Sequence, residues 1–173
     1  RIPISDERQE AMLRKQIDDL EMAIQSARYE QDGGRYTVKQ IEKTRKTLQT
    51  RLEKLNQKEK KDQVVTFEEL GVDHLYVDEA HSYKNAFLYT KMRNVAGIAQ
   101  NEAQKSADMF NKCQYLDEIT GGKGITFATG TPISNSMTEL YVMQRYLQNS
   151  KLQNMGLGLF DSWASTFGEV VTS

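Results

Sequence analysis

Cysteine is nearly missing from this sequence: among 173 residues only Cys113 carries a thiol. A lone thiol cannot close an internal disulfide, so burial and hydrogen bonding must hold the fold, and the composition fits a reducing compartment. Proline is confined to Pro3 and Pro132, and histidine to His74 and His81. No run is long and apolar enough to span a bilayer, and the first residues do not have the pattern of a signal peptide. Net charge is −1, so the molecule as a whole lacks the basic excess of a nucleic-acid coat. What is plentiful is charge of both signs, at 27% of residues, with a mean hydropathy of −0.66. That polarity predicts a solvated helical element, with the core concentrated elsewhere. The chain begins at Arg1 rather than Met, and the expectation is a cut-out or processed piece of a longer protein.

Residues 5–62 read as helix. Leu13, Ile17, Leu20, Ile24 and Ala27 recur at spacings of four and three, and so do Val38, Ile41, Leu48, Leu52 and Leu55, with Arg45 at the one seam position that is not apolar. This is a heptad seam. Asp32-Gly33-Gly34 between the runs predicts a helix stop and a tight reversal, Thr37 and Gln40 a capping box for the second helix, and Ser5 an N-cap for the first. The first arm carries a net charge of about −4 and the second about +5, so an antiparallel coiled-coil hairpin is expected to attract itself. Each exposed pair is worth only roughly 0.2–1 kcal/mol, which leaves most of the holding to the leucine seam. Three roles are open for the hairpin: a rigid spacer, a protein-interaction or dimerisation arm, and a DNA arm using the lysines of the second helix.

The texture changes after residue 63. Thr66 to Leu70 reads as a short helical turn stopped by Gly71. Val72 to Val77 reads as a strand whose consecutive Leu75, Tyr76 and Val77 predict cover on both faces. Residues 86–103 read as loop with short helical pieces, 104–119 as helix with Ala107, Phe110, Cys113 or Gln114, and Leu116 inward, and Gly121-Gly122 as its stop. Gly124 to Ala128 is a second strand, and 136–147 a helix with Leu140, Met143, Tyr146 and Leu147 inward. A short helix is expected around Phe160–Phe167. This alternation is the α/β signature. The expected organisation is a hairpin at 1–63, an α/β segment at 64–150 and a helical tail at 151–173. Met92, Met109, Met137, Met143 and Trp163 are expected in the core or at a subunit contact.

Chemistry concentrates at two places. "LYVDEAHSYKN" sets Asp78, Glu79 and His81 at the end of the first strand, and ligands of open α/β sheets bind beyond such ends. An Asp there can hold Mg²⁺, usually through water, and a neighbouring Glu can orient and deprotonate a water. "FATGTPISNS" follows the second strand with a hydroxyl-rich turn, Thr129-Gly130-Thr131, then Pro132, with Ser134 or Asn135 available to cap the next helix. Each stretch alone also reads as an ordinary strand end or strand–helix connection. A metal-hydrolase site from His74, Asp78 and His81 is weaker, since no further histidine completes it.

Taken together, "DEAHSYKN" and "ATGTPISN" resemble motifs II and III of superfamily 2 helicase-like ATPases, in particular the Swi/Snf-type branch. The resemblance covers about residues 64–150. It extends, through "TFEELGVD", "TKMRNVAG", "DEITGG" and "MTELYVMQRYLQ", to the large helicase–methyltransferase proteins of phages and bacterial mobile elements. It implies a partial RecA-like (P-loop NTPase) lobe with parallel strands, preceded by the hairpin as an insertion. It implies that Asp78 coordinates the Mg²⁺ of bound ATP, that Glu79 activates the hydrolytic water, and that His81 senses the γ-phosphate. Thr129, Gly130 and Thr131 would relay nucleotide state to a DNA-binding cleft. Lys84 and Asn85 match the branch pattern without an assigned role. DNA is the implied partner, and the cytoplasm, for a bacterial or phage-encoded protein, the implied setting.

One part of that machine is missing. No G-x-x-x-x-G-K-[ST] phosphate loop occurs in the sequence, and Gly33-Gly34-Arg35 and Gly121-Gly122-Lys123 are too short to serve. The arginine-finger motifs of a second lobe are absent too. The expectation is an internal piece of an ATP-dependent DNA helicase or translocase that is inactive alone, with a homodimer through the hairpin or an exposed sheet edge. The rival reading is a non-enzymatic coiled-coil interaction module with a decayed ATPase lobe. Tyr83 and Tyr89 are available for base stacking, with loop packing the simpler role.

Overall fold

The computed structural model describes residues 2–29, 34–57, 65–86, 88–90, 104–134 and 136–169. The described residues form two compact units, 1–70 and 71–173.

The first unit is a helical hairpin. Helix α1 spans Asp6–Tyr29 and helix α2 spans Gly34–Asn56, packed along each other. The buried side chains are Leu20, Ala23 and Ile24 from α1 and Ile41, Leu48 and Leu52 from α2, which is the apolar stripe that the four-three spacing predicts. Leu13, Ile17, Val38 and Leu55 are half-buried. Arg45, the polar seam position, reaches Glu21 across the hairpin at 2.8 Å. Because α2 already begins at Gly34, Thr37 lies inside the helix and not at its N-cap, so the expected capping box is not its start signal. The side chains of Ala27, Thr37 and Gln40, and the turn residues 32 and 33, lie outside the described set.

The open end of the hairpin is closed by its flanks. Ser5 caps α1, its Oγ accepting the Arg8 amide at 3.4 Å. The same hydroxyl donates to Glu68 Oε1 at 2.6 Å, and the Ser5 amide lies 3.2 Å from both Glu68 oxygens. The Phe67 amide donates to Pro3 O at 2.8 Å, and Ile4 and Phe67 are buried. Glu68–Leu70 forms a single 3₁₀ turn, and Arg8 approaches Glu68 at 3.6 Å. Burial raises the Glu68 pKa, but the bonds from Ser5, a backbone bond of its own and the Arg8 charge together outweigh it and hold the carboxyl below its ordinary 4.5.

The second unit is mostly helical around a small parallel sheet. Strand β1, Leu75–Val77, pairs in parallel with strand β2, Ile125–Phe127, in the register Leu75–Ile125, Tyr76–Thr126 and Val77–Phe127. Helix α3, Gln104–Thr120, connects them in sequence, and α4, Met137–Asn154, and α5, Phe160–Phe167, follow. Glycine stops α3 as expected: Gly121 and Gly122 have φ of 63° and 82°, and the Gly122 amide returns to Asp117 O at 3.1 Å.

The two-sided cover expected of β1 is not present among the described residues. Val77 is buried, whereas Tyr76 is 76% exposed and stacks on His74 on the opposite side of the pleat, ring centroids 4.4 Å apart. Among the described residues one face of the sheet is therefore packed, and the other carries the exposed Tyr76.

The core forms around α4. Tyr146 is wholly buried, with Phe110 and Phe127 at centroid distances of 5.7 and 5.4 Å. Cys113 and Leu116 of α3 are also wholly buried, and burial first, then the Asp117 charge, pushes the Cys113 thiol up to about 12. A second cluster unites Tyr141, Leu152, Leu157, Phe160, Trp163 and Ala164. The inward face of α4 differs from expectation: Tyr141 and Val142 are buried with Met143 and Tyr146, while Leu140 is exposed. The helix also runs past 147, through a kink at Gln148 (φ −153°, ψ 42°). Met137 is exposed, and Met92 lies outside the described residues.

Candidate functional site

Two turns leave the carboxyl ends of β1 and β2 side by side, because the strands are parallel and in register. The ladder continues past both strands: the Ala128 amide donates to Val77 O at 2.8 Å, and the Ala80 amide donates to Ala128 O at 3.1 Å. Asp78 and Glu79 lie between those bonds on the segment after β1, and Thr129 to Thr131 follow them on the segment after β2.

Glu79 is in the left-handed region, at φ 51° and ψ 45°, the one non-glycine residue with positive φ among those described. Such a conformation costs an L-residue roughly 1–2 kcal/mol. The surroundings offset it. Asp78 Oδ1 accepts the Glu79 amide at 2.9 Å, and the turn delivers Ala80 into a fully buried position with its amide on Ala128 O. Residues 80–83 then form a short 3₁₀ turn. Strained backbone that the surroundings over-determine is a feature of functional sites.

His81 joins the two turns. Its Nδ1 lies 3.0 Å from Thr129 Oγ1 and 3.2 Å from Glu79 Oε2. A carboxylate oxygen at that distance repels a lone pair and attracts an N–H, so the geometry calls for the proton on Nδ1, donated between the two acceptors. Thr129 Oγ1 also accepts the Thr131 amide at 3.2 Å. One histidine nitrogen thus gathers Glu79, Thr129 and, through it, Thr131. Asp78 and Glu79 are exposed, so both carboxylates are open to solvent.

Gly130 does not have a positive φ, and a Cβ there would meet nothing within 4 Å. The chain's own packing therefore does not explain a glycine at this position. His74 takes no part: its Nε2 faces Thr126 Oγ1 at 3.0 Å within the sheet. Among the described residues no three His, Cys, Asp or Glu side chains form a group able to hold a metal, so His74, Asp78 and His81 do not make one. Two adjacent solvent-exposed carboxylates at a strand end suit a cation that keeps most of its water shell, as Mg²⁺ does, and not a protein-caged ion.

Sequence reasoning overlooked Glu139. It sits in the first turn of α4 with its side chain 7% exposed, and its Oε1 lies 2.9 Å from Lys84 Nζ. Its Oε2 accepts the Ser134 amide at 2.6 Å and the Ser134 hydroxyl at 3.0 Å. Lys84 Nζ also donates to Ser134 Oγ at 2.7 Å. The N-cap of α4 is Ser136, not Ser134; Asn135 lies outside the described residues. The pattern Ser136-x-x-Glu139 was the available signal, since a Glu three residues after a serine N-cap ordinarily bends back to an amide. Here it reaches past the cap to Ser134. Tyr83 packs in the loop, with Lys105 Nζ 5.6 Å above its ring. Its carbonyl lies 2.9 Å from the Tyr146 hydroxyl, which is also 3.1 Å from Ser106 O.

Comparison with known proteins decides the family. The whole chain, residues 1–173, matches the family model described as "Probable helicase domain". The chain belongs to that family. Over 116 residues, 64% of the chain, this helicase-domain protein is 31% identical to "Defense against restriction protein B" of Escherichia phage P1. The chain spans about 5% of that relative's length. No solved structure matches it.

Proposed function

We propose that this helicase-domain chain carries the nucleotide-hydrolysis and coupling turns of an ATP-dependent DNA translocase or helicase of the Swi/Snf-type branch, on part of a RecA-like lobe. The observation that carries the reading is the His81 nitrogen within hydrogen-bond reach of both Glu79 and Thr129. In this reading Asp78 holds the hydrated Mg²⁺ of bound ATP, and the ion, when present, neutralises phosphate charge. Glu79 orients and deprotonates the attacking water. It is exposed to solvent and held by a fixed backbone turn, as a base acting on a water must be.

His81 supplies the link. A change in the position or charge of Glu79 alters what the Nδ1 proton can share, and Thr129 and Thr131 feel that change directly. The threonine turn then passes it toward bound DNA. No phosphate loop occurs within the 173 residues, so a longer protein supplies the ATP cradle and the chain alone does not hydrolyse ATP. The one-sided sheet is consistent with further layers from that longer protein or with a second copy of this chain.

The test uses both forms. Purified 1–173 should show no Mg²⁺-dependent ATP hydrolysis. In a longer protein that includes the phosphate loop, DNA-stimulated hydrolysis should be lost on Glu79→Gln. A stimulated rate that survives Glu79→Gln refutes the assignment of the base.

A further inference from the structure

We propose that Glu139 is a positioning residue that clamps the acidic turn and the threonine turn into one moving part, with Lys84 and Ser134 as its two jaws. The inference rests on the reading above only for its consequence in catalysis; the clamp itself rests on geometry. Lys84 lies three residues beyond His81, and Ser134 three beyond Thr131. Glu139 holds both, Lys84 through Oε1 at 2.9 Å and Ser134 through Oε2 at 2.6 and 3.0 Å. The Lys84–Ser134 bond at 2.7 Å closes the triangle.

The hydrogen-bond roles are mutually consistent. The Lys84 ammonium donates to Glu139 and to Ser134 Oγ, the Ser134 hydroxyl accepts that bond and donates to Glu139, and the carboxylate only accepts. Glu139 is nearly out of water while Lys84 keeps 29% of its side chain exposed, so the pair joins a buried carboxylate to a cation at its solvent edge. The His81–Thr129 bond lies at the other end of the same two segments. The backbone bond from Ala80 to Ala128 and the His81–Thr129 bond hold the near end of the turns, and the Glu139 clamp adds a tie at the far end that keeps them from sliding past each other. With the clamp cut, the His81–Thr129 contact rests on its own part-buried bond and on the backbone bond from Ala80 to Ala128 beside it.

The chain's two histidines allow a direct test. Ring-nitrogen NMR of the full 173-residue chain reports on His81 at the junction and on His74, within the sheet, as an internal control. In Glu139→Gln and in Lys84→Met the His81 ring signals should shift toward those of a freely exchanging imidazole, while the His74 signals stay in place. If both variants leave His81 unchanged, or if His74 moves along with it, the positioning role is overturned. Lys84→Met cuts the pair from its solvent side and carries the test where Glu139→Gln fails to fold.

This readout needs no nucleotide, so it stands apart from the ATPase reading, which Glu79→Gln decides. In the longer protein, Glu139→Gln should lower kcat about tenfold and leave the KM for ATP within about twofold, the signature of lost transition-state positioning. A raised KM with unchanged kcat would overturn the catalytic consequence.

Discussion

Replacing Glu79 by glycine and by alanine should reverse their usual order of stability. At ordinary positions glycine is less stable than alanine by roughly 0.5–1 kcal/mol, because its unfolded chain has more freedom to lose. At φ 51° and ψ 45° the alanine Cβ retains the left-handed strain of about 1–2 kcal/mol, and glycine does not. The two terms oppose each other, and the strain is the larger. Glycine should therefore exceed alanine by about 0.5–1 kcal/mol, or roughly 2–8 °C in melting temperature for a unit of about 100 residues. Both variants lack the carboxylate, and Glu79 is exposed, so the loss of the side chain cancels in the comparison. The chain's one tryptophan, Trp163, is buried in the same unit, so its fluorescence during urea unfolding follows the right transition. If alanine proves as stable as glycine or more so, Glu79 is not held in the left-handed region, and the account of the acidic turn fails with it.

Two further outcomes are expected. Because the Glu68 pKa lies below 4.5 in the fold, its contribution to the hairpin unit is complete above pH 4.5 and lost as the pH falls through the lowered value. Acid titration followed by circular dichroism should show a smaller acid-side loss in Glu68→Gln than in the parent sequence, and identical curves would refute the linkage. Two glycines should separate structure from use: a Cβ at Gly124 would lie 2.8 Å from Asp73 O and 2.9 Å from Thr120, whereas Gly130 has open space. Gly124→Ala should therefore cost about 1–3 kcal/mol as an overpacked site, and Gly130→Ala should stay within about 0.5 kcal/mol of the parent in denaturant melts.

What the sequence made legible was whatever has a short period or a local signal. The seam residues Leu20, Ile24, Ile41, Leu48 and Leu52 repeat at helical spacing and are buried. The glycine pair after Thr120 stops α3 for the backbone reason that predicts it. Other features depend on partners far away in the chain. Leu75-Tyr76-Val77 is apolar throughout, yet alternation on the strand sends Tyr76 to an open face that no local pattern could distinguish. Glu139 looks like a solvated residue in a first helical turn, and only its meeting with Lys84, more than fifty positions earlier, accounts for its burial. The left-handed Glu79 contradicts residue preference outright, because the ladder bond from Ala80 to Ala128 imposes the turn. At the site, the proximity of His81 and Thr129 follows from strand order and register, while the approach of the same His81 nitrogen to Glu79 depends on the left-handed turn, which no local pattern signals.

The sealed sulfur of Cys113 turns the molecule into its own clock. A thiol that is wholly enclosed and ionises only at about 12 is nearly inert toward alkylating reagents while the chain is closed. Modification therefore proceeds through states in which the contact between α3 and its neighbours is open. A reagent added under native conditions reads the population of such open states where reclosing is fast, and their rate of opening where the reagent outpaces reclosing, without denaturant and without any engineered label.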